Sequence, residues 1–126
     1  MPGKNRRGKT MTPHHAVPVF LVSNLVASLQ HYQNILGFSH DFSFGDYAGV
    51  KLGNVGIHLT QSSERPIGKS TAYIFCDEVD SYCAEIKGKG AILRNEPQDW
   101  PYGMREFIAL DPDGNQLAFG CDSEKA

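Results

Sequence analysis

The pattern of apolar and polar positions predicts two helices set among short strands. The first helix follows a nearly continuous apolar run at 17–22, which is typical of a buried strand. Pro18 favours an edge position or the beginning of that strand. Ser23-Asn24 supplies a helix N-cap, and Gly37 suits the position just beyond the helix end. Between these signals, apolar residues recur at helical spacing: Leu25, Leu29, Tyr32, Ile35 and Leu36.

Three short strands follow the first helix. Gly45-Asp46 and Gly53-Asn54 separate them, and both dipeptides are typical of tight hairpin turns. A polar stretch at 61–70 then connects two halves of the chain. The three strands are predicted at Phe38–Phe44, Tyr47–Leu52 and Val55–Gln61.

The order of elements then repeats. A strand at Thr71–Cys76 and a helix at Val79–Lys87 are predicted, with Asp77 or Glu78 near the helix start. Aligning Asn24 with Glu78 gives an offset of 54 residues and the same strand-to-helix order. The repeated unit is therefore a strand, a helix and three further strands.

The second half ends in a hairpin. A strand at Ala91–Arg94 and a loop through Glu96-Pro97-Gln98-Asp99 lead to it. Two apolar runs, Phe107–Leu110 and Leu117–Phe119, flank the sequence D-P-D-G-N at 111–115, in which each residue type favours a turn. The later acidic residues of a calcium loop are missing, so the sequence predicts a turn and no ion site here.

Strand alternation assigns side chains to the two faces of the sheet. The face that packs on the helices is predicted to carry Val55, Ile57, Leu59, Ala72, Ile74, Cys76, Leu117 and Phe119. The opposite face is predicted to carry Gly56, His58, Thr60, Thr71, Tyr73, Phe75, Gln116 and Ala118. The facing of the first strand stays open, because both of its faces are apolar.

Composition narrows the function classes. The 126 residues, 40% of them hydrophobic, suffice for one domain with a core, and no apolar run reaches the roughly 20 residues of a membrane helix. The net charge is −2, although the first fifteen residues carry four basic side chains. We interpret 1–15 as a disordered basic tail without nucleic-acid function. Three cysteines without paired spacing are predicted to be free thiols in the cytoplasm.

The C-terminal hairpin resembles a family signature. Arg105-Glu106-Phe107 precedes the D-P-D-G-N turn, and a loop with an aromatic residue and glycine precedes both. The helix string N-L-V-A-S-L-Q-H-Y-Q-N-I-L-G-F at 24–38 is also similar to the first helix of the same proteins. Together these segments resemble the bleomycin-resistance proteins of the vicinal-oxygen-chelate superfamily, which includes glyoxalase I and the extradiol dioxygenases.

The resemblance implies an α+β fold of two tandem β-α-β-β-β modules. It implies a curved mixed sheet with the helices on the convex side and the ligand on the concave face. The expected domain is 16–121, with modules at 16–61 and 70–121 and a C-terminal tail at 122–126. The resemblance also implies that the protein forms a homodimer.

The resemblance also bears on metal binding. Superfamily enzymes hold a divalent ion through four strand residues, and the equivalent positions here are Val17, His58, Thr71 and Ala118. Valine and alanine have no donor atoms, so we predict no metal, no cofactor and no catalytic residue. His58 keeps three possible roles: a hydrogen-bonded pocket residue, a ligand contact or a catalytic base.

The aromatic residues suggest a binding role. Trp100 and Tyr102 lie between Pro97, Pro101 and Gly103, and the resemblance implies that this loop borders a drug-binding crevice. We expect a structural ion pair between Arg105 and Glu106. The predicted ligand-binding residues are His58, Trp100, Tyr102, Tyr73, Phe75, Thr71 and Phe44.

The predicted function is sequestration of a planar or cationic small molecule by a homodimer without a metal. The alternative is a metal-dependent lyase, isomerase or dioxygenase. A third reading is a small-molecule sensor or interaction module that keeps only the fold.

Overall fold

Two β-α-β-β-β modules follow one another along the chain in a computed structural model that describes residues 10–12, 14–61 and 67–125. The first module consists of β1 (Val19–Val22), α1 (Leu25–Asn34), β2 (Ser39–Phe44), β3 (Tyr47–Leu52) and β4 (Val55–Gln61). The second consists of β5 (Thr71–Phe75), α2 (Val79–Gly88), β6 (Ile92–Asp99), β7 (Met104–Leu110) and β8 (Gln116–Asp122). The predicted fold class is confirmed.

Each module forms a four-stranded mixed sheet. The strand orders are β1-β4-β3-β2 and β5-β8-β7-β6, and only the first pair in each sheet is parallel. Val19 pairs with His58 in the first sheet, and Tyr73 pairs with Ala118 in the second. The internal repeat is therefore preserved down to the register of the parallel pairs.

The helix starts differ between the modules. The Asn24 side chain caps α1 as predicted, accepting a hydrogen bond of 3.0 Å from the Ala27 N–H. Glu78 precedes α2 in the left-handed region, with φ of 57°, and its side chain makes no cap hydrogen bond. The Ser81 hydroxyl donates instead to the Glu78 carbonyl over 3.2 Å.

One hydrophobic core joins the two modules. Ile57, Leu59, Ile74, Leu117 and Phe119 are all buried, which confirms the predicted facing of their strands. The same cluster resolves the first strand, because Phe20 and Val22 belong to it. By alternation, Val17 and Val19 lie on the opposite face with His58.

Two residues of the D-P-D-G-N turn form a buried polar contact between the modules. We call this contact, made by Asp111, Asn115 and Tyr32, the clasp. The Tyr32 hydroxyl of α1 donates to Asp111 Oδ2 over 3.1 Å, and Asn115 Nδ2 donates to the Leu21 carbonyl over 3.1 Å. Asn115 Nδ2 also donates to Asp111 Oδ2 over 2.9 Å. Burial raises the pKa of Asp111, and these hydrogen bonds oppose the rise.

The prediction of a loop at 96–99 is wrong, because β6 continues to Asp99. Its register with β7 shifts between Leu93 and Asn95 and again between Asn95 and Gln98. These irregularities accommodate Pro97, which has no N–H to contribute to a regular ladder. At the bulge, the Asn95 side chain accepts the Ile108 N–H over 3.1 Å.

The predicted tails and the connector between the modules are described only in part. Residues 1–9 and 13 of the predicted tail, and 62–66 of the connector, lie outside the described residues. At the other end, β8 includes Asp122, and Ser123–Lys125 form a short 3-10 helix. None of the described helices is long and apolar enough to cross a membrane.

Candidate ligand-binding surface

His58 lies on β4 within an aromatic cluster. The Tyr47 hydroxyl is 2.8 Å from His58 Nδ1, and this hydrogen bond fixes the plane of the imidazole. The Phe42 ring meets the imidazole edge-on with centroids 5.0 Å apart. Nδ1 is engaged, and among the described residues no hydrogen bond reaches Nε2, which is therefore the nitrogen that faces a ligand in the proposals below.

A cavity of about 600 Å³ adjoins His58. Its walls come mainly from the segment before β1, the β3–β4 hairpin and the middle of β5. Val17, His58 and Tyr73 all belong to the lining, so residues of both modules meet here. The volume is within the range of small-molecule sites in proteins.

Glu106 on β7 forms the centre of a second cluster. Its carboxylate is buried, with 7% of the residue exposed, and Oε1 accepts two tyrosine hydroxyls. Tyr73 donates over 3.0 Å and Tyr102 over 2.7 Å. Burial and the bond to Glu106 raise the pKa of Tyr73, while the bond to Glu106 is the main cause of the raised pKa of Tyr102.

Tyr73 reaches Glu106 by crossing Gly120 of the intervening strand. A side chain at position 120 would collide with the Tyr73 hydroxyl and ring. The first module has a comparable contact between different strands, because Phe42 of β2 covers Gly49 of β3. Each glycine thus leaves space on the sheet for one aromatic ring.

Trp100 and Tyr102 lie at the tip of the β6–β7 hairpin. The backbone N–H of Trp100 donates to the Met104 carbonyl over 2.8 Å. Gly103 adopts the φ of 85° that the tight turn needs. The two rings are nearly parallel, at 8°, with centroids 6.2 Å apart. Trp100 Nε1 is buried and has no acceptor among the described residues.

The expected ion pair between Arg105 and Glu106 is wrong. Neighbouring residues on a strand project to opposite faces, so their side chains separate. The Arg105 guanidinium bonds Asp80 of α2 through two contacts of 2.8 Å and Asp99 through one of 3.2 Å. These hydrogen bonds raise the pKa of Arg105, and the bond to Arg105 lowers the pKa of Asp80.

Comparison with known protein families assigns the chain to one of them. The model of the Glyoxalase/Bleomycin resistance protein/Dioxygenase superfamily matches residues 12–119. The chain belongs to this superfamily. No curated protein sequence matches it.

Solved structures support the assignment. The bleomycin-binding protein of Streptomyces verticillus, complexed with copper(II)-bleomycin, is 26% identical, with a TM-score of 0.76 over 87% of this chain and 97% of that one. A superfamily member from Sphaerobacter thermophilus is 20% identical, with a TM-score of 0.77 over 88% and 98%. One from Nocardioides is 16% identical, with a TM-score of 0.75 over 94% and 89%. The last two show the fold alone.

The positions that the resemblance assigns to metal ligands offer few donor atoms in this chain. Val17 and Ala118 have no donor atom, and Thr71 offers only a hydroxyl beside the single imidazole of His58. Over the described ranges, no group of three or more His, Cys, Asp or Glu side chains could hold a metal ion. No step through a metal is therefore assigned to these positions.

The three cysteines are free thiols in this superfamily member. Burial raises the pKa of Cys76, Cys83 and Cys121, which keeps each sulfur in the less nucleophilic thiol form. None of the three therefore has the environment of an activated nucleophile.

The predicted site residues of this superfamily member fall into groups. Tyr73 and Tyr102 share the Glu106 carboxylate, and Trp100 and Phe75 extend this cluster by ring contacts. His58 and Tyr73 both line the cavity. The two remaining residues are exposed at strand ends: Thr71 begins β5 and Phe44 ends β2.

Glu106 is the residue that the sequence analysis missed. Phe107 is fully buried, so alternation along β7 assigns Glu106 to the opposite face with the ligand candidates. That signal was present in the sequence, but the adjacent Arg105 suggested a simpler partner for the carboxylate.

Proposed function

We propose that this protein binds a planar or cationic small molecule and sequesters it as a homodimer, without a metal. The observation that carries the proposal is the aromatic surface around Trp100, Tyr102, Tyr73 and Phe75. The 26% identity to a bleomycin-binding protein supports the same class of function. Sequestration requires affinity only, so it needs no catalytic residue.

The exposure of Phe75, Tyr102 and Phe44 favours a binding surface over a core, and Trp100 beside them is half-buried. Phe75 is 76% exposed, Tyr102 63% and Phe44 83%, whereas large apolar side chains usually lose most of their accessible surface on folding. Stacking and cation–π contacts supply about 0.5–2 kcal/mol per ring to a planar or charged ligand. His58 would add a polar contact through Nε2, and Thr71 and Phe44 would border the crevice.

Copper(II)-bleomycin is the first probe, in a calorimetric titration of the intact chain. Trp100→Ala is expected to weaken binding about tenfold or more and to leave the melting temperature nearly unchanged. Leu117→Ala is the opposite control, because a buried leucine costs about 2–5 kcal/mol of stability on truncation. A Trp100→Ala variant that melts as early as Leu117→Ala would make the tryptophan a core residue and contradict the proposal.

The homodimer is tested by light scattering after gel filtration. We expect twice the mass of one chain, because exposed Phe44 and Phe75 leave apolar surface that a second copy would cover. A single-chain mass at micromolar concentration would contradict this part of the proposal.

A second candidate is an enzyme of the same superfamily. The observation in its favour is the hydrogen bond between the Tyr47 hydroxyl and His58 Nδ1, which orients the imidazole; the tautomer with the proton on Nδ1 leaves Nε2 as the basic nitrogen. Elemental analysis after incubation with nickel, zinc, iron or manganese separates the candidates. One ion per chain, lost in His58→Ala, would favour the enzyme.

A further inference from the structure

We infer that Glu106 is the anionic anchor of the binding surface and that the ligand class is an aromatic molecule bearing a protonated amine. This inference rests on the proposed function and adds the residue that selects the ligand's charge. It follows from the surroundings of one buried carboxylate.

Glu106 is buried without a cation. Within the described part of the chain, no Lys, Arg or His side chain forms an ion pair with it. Its sequence neighbour Arg105 is occupied by two aspartates on the opposite face of the sheet. Glu106 is 7% exposed and has no positive partner among the described residues, so a cation supplied by a ligand would complete this site.

The hydrogen bonds leave one carboxylate oxygen for that cation. The hydroxyls of Tyr73 and Tyr102 both donate to Oε1. Across the described residues, no donor reaches Oε2. An ammonium group has three N–H donors and no acceptor, so it can donate a hydrogen bond to Oε2. The nearby tyrosine oxygens are acceptors as well, so they do not oppose its binding.

The surrounding rings suit an aromatic ammonium ion. Phe75 packs against Tyr73 with centroids 4.9 Å apart, and Trp100 lies parallel to Tyr102 on the hairpin tip. Ring faces attract a cation, and the flat pair offers a stacking surface for the aromatic part of the ligand. The carboxylate and the rings therefore select for charge and planarity in the same molecule.

Two matched probes test the inference by calorimetry at neutral pH. Naphthylmethylammonium carries the charge, and naphthalenemethanol has the same ring system without it. The intact protein is expected to bind the ammonium probe about tenfold or more tightly than the alcohol. Glu106→Gln, which keeps the shape and the acceptor for the tyrosines, is expected to remove the preference.

Glu96→Gln is the control, because it removes the same charge from an exposed side chain that pairs with Lys87. It is expected to keep the preference. Equal loss in both variants would assign the effect to net charge and overturn the inference, as would a preference that survives Glu106→Gln.

The outcomes separate this inference from the proposed function. Equal binding of both probes, weakened by Trp100→Ala, overturns the role of Glu106 and leaves the aromatic surface supported. A charge preference that depends on Glu106 and is insensitive to Trp100→Ala supports the anchor and contradicts the aromatic crevice. Binding of neither probe at millimolar concentration, by protein whose circular dichroism spectrum is folded, overturns the inference; copper(II)-bleomycin then tests the proposed function alone.

Discussion

The ring of Tyr73 lies across Gly120, and this contact lets its hydroxyl cross from β5 to Glu106 on β7. Gly120 pairs with Phe75 on one side and with Glu106 on the other, so it occupies the strand between the two partners. The missing side chain of one residue therefore determines the hydrogen bonding of two others. In the first module a glycine also makes room for a ring, because Phe42 of β2 covers Gly49 of β3.

Gly120→Ala is expected to separate Tyr73 from Glu106, because the new methyl group would occupy the position of the tyrosine hydroxyl. The pKa of Tyr73 is raised by burial and by Glu106, so it should fall toward its ordinary value near 10. Carbon-13 NMR of labelled tyrosine rings during an alkaline titration measures the change. Gly49→Ala is the matched control and should leave the Tyr73 resonance unchanged; an equal response in both variants would contradict the crossing.

Asn115→Ala is expected to destabilise the protein by about 3 kcal/mol or more. The side chain is fully buried and bonds Asp111, the Leu21 carbonyl and the Ser70 N–H, each of which would lose a partner. Urea denaturation measures the free energy of unfolding. Asn34→Ala, at the exposed end of α1, should change that free energy by no more than about 0.5 kcal/mol. If Asn115→Ala lowered the free energy of unfolding by no more than Asn34→Ala does, the clasp would contribute little to stability.

Stability is expected to fall as the pH decreases from 7 toward 5.5, partly through His31. Burial lowers the pKa of His31 below its ordinary 6.5, although Asp111 and the Leu110 backbone oppose the shift. The unfolded chain then binds the proton first as the pH falls through 6.5, which favours unfolding. Urea denaturation at several pH values should show a smaller decline in His31→Gln than in the parent chain. His40→Gln, at an exposed site, is the control; an unchanged decline in His31→Gln would contradict this role.

The sequence predicted those parts of the fold that depend on local pattern. Ile57 and Leu59 alternate with polar neighbours, and this alternation alone assigned His58 to the open face. Asn24 was recognisable as an N-cap because its residue type and position have one common use. The strand beyond Arg94 was missed, since Pro97 ends most strands and a bulge that tolerates it leaves no local signal.

The site was less predictable because its contacts join distant residues. Tyr73 and Glu106 are 33 positions apart, and their bond depends on the absence of a side chain at Gly120. Tyr102 could be placed on a loop, but its partner could not be read from the turn sequence. The clasp shows the same limit, because the D-P-D-G-N letters predict the turn and say nothing of Tyr32.

The clasp also fixes when the protein can finish folding during synthesis. Tyr32 must wait for Asp111, 79 residues later, and the Leu21 carbonyl must wait for Asn115, 94 residues later. Until that segment leaves the ribosome, the first module holds a tyrosine hydroxyl and a carbonyl without their acceptor and donor, beside an incomplete core. The two modules are repeats in architecture, yet a nascent chain that ends after the first cannot complete it.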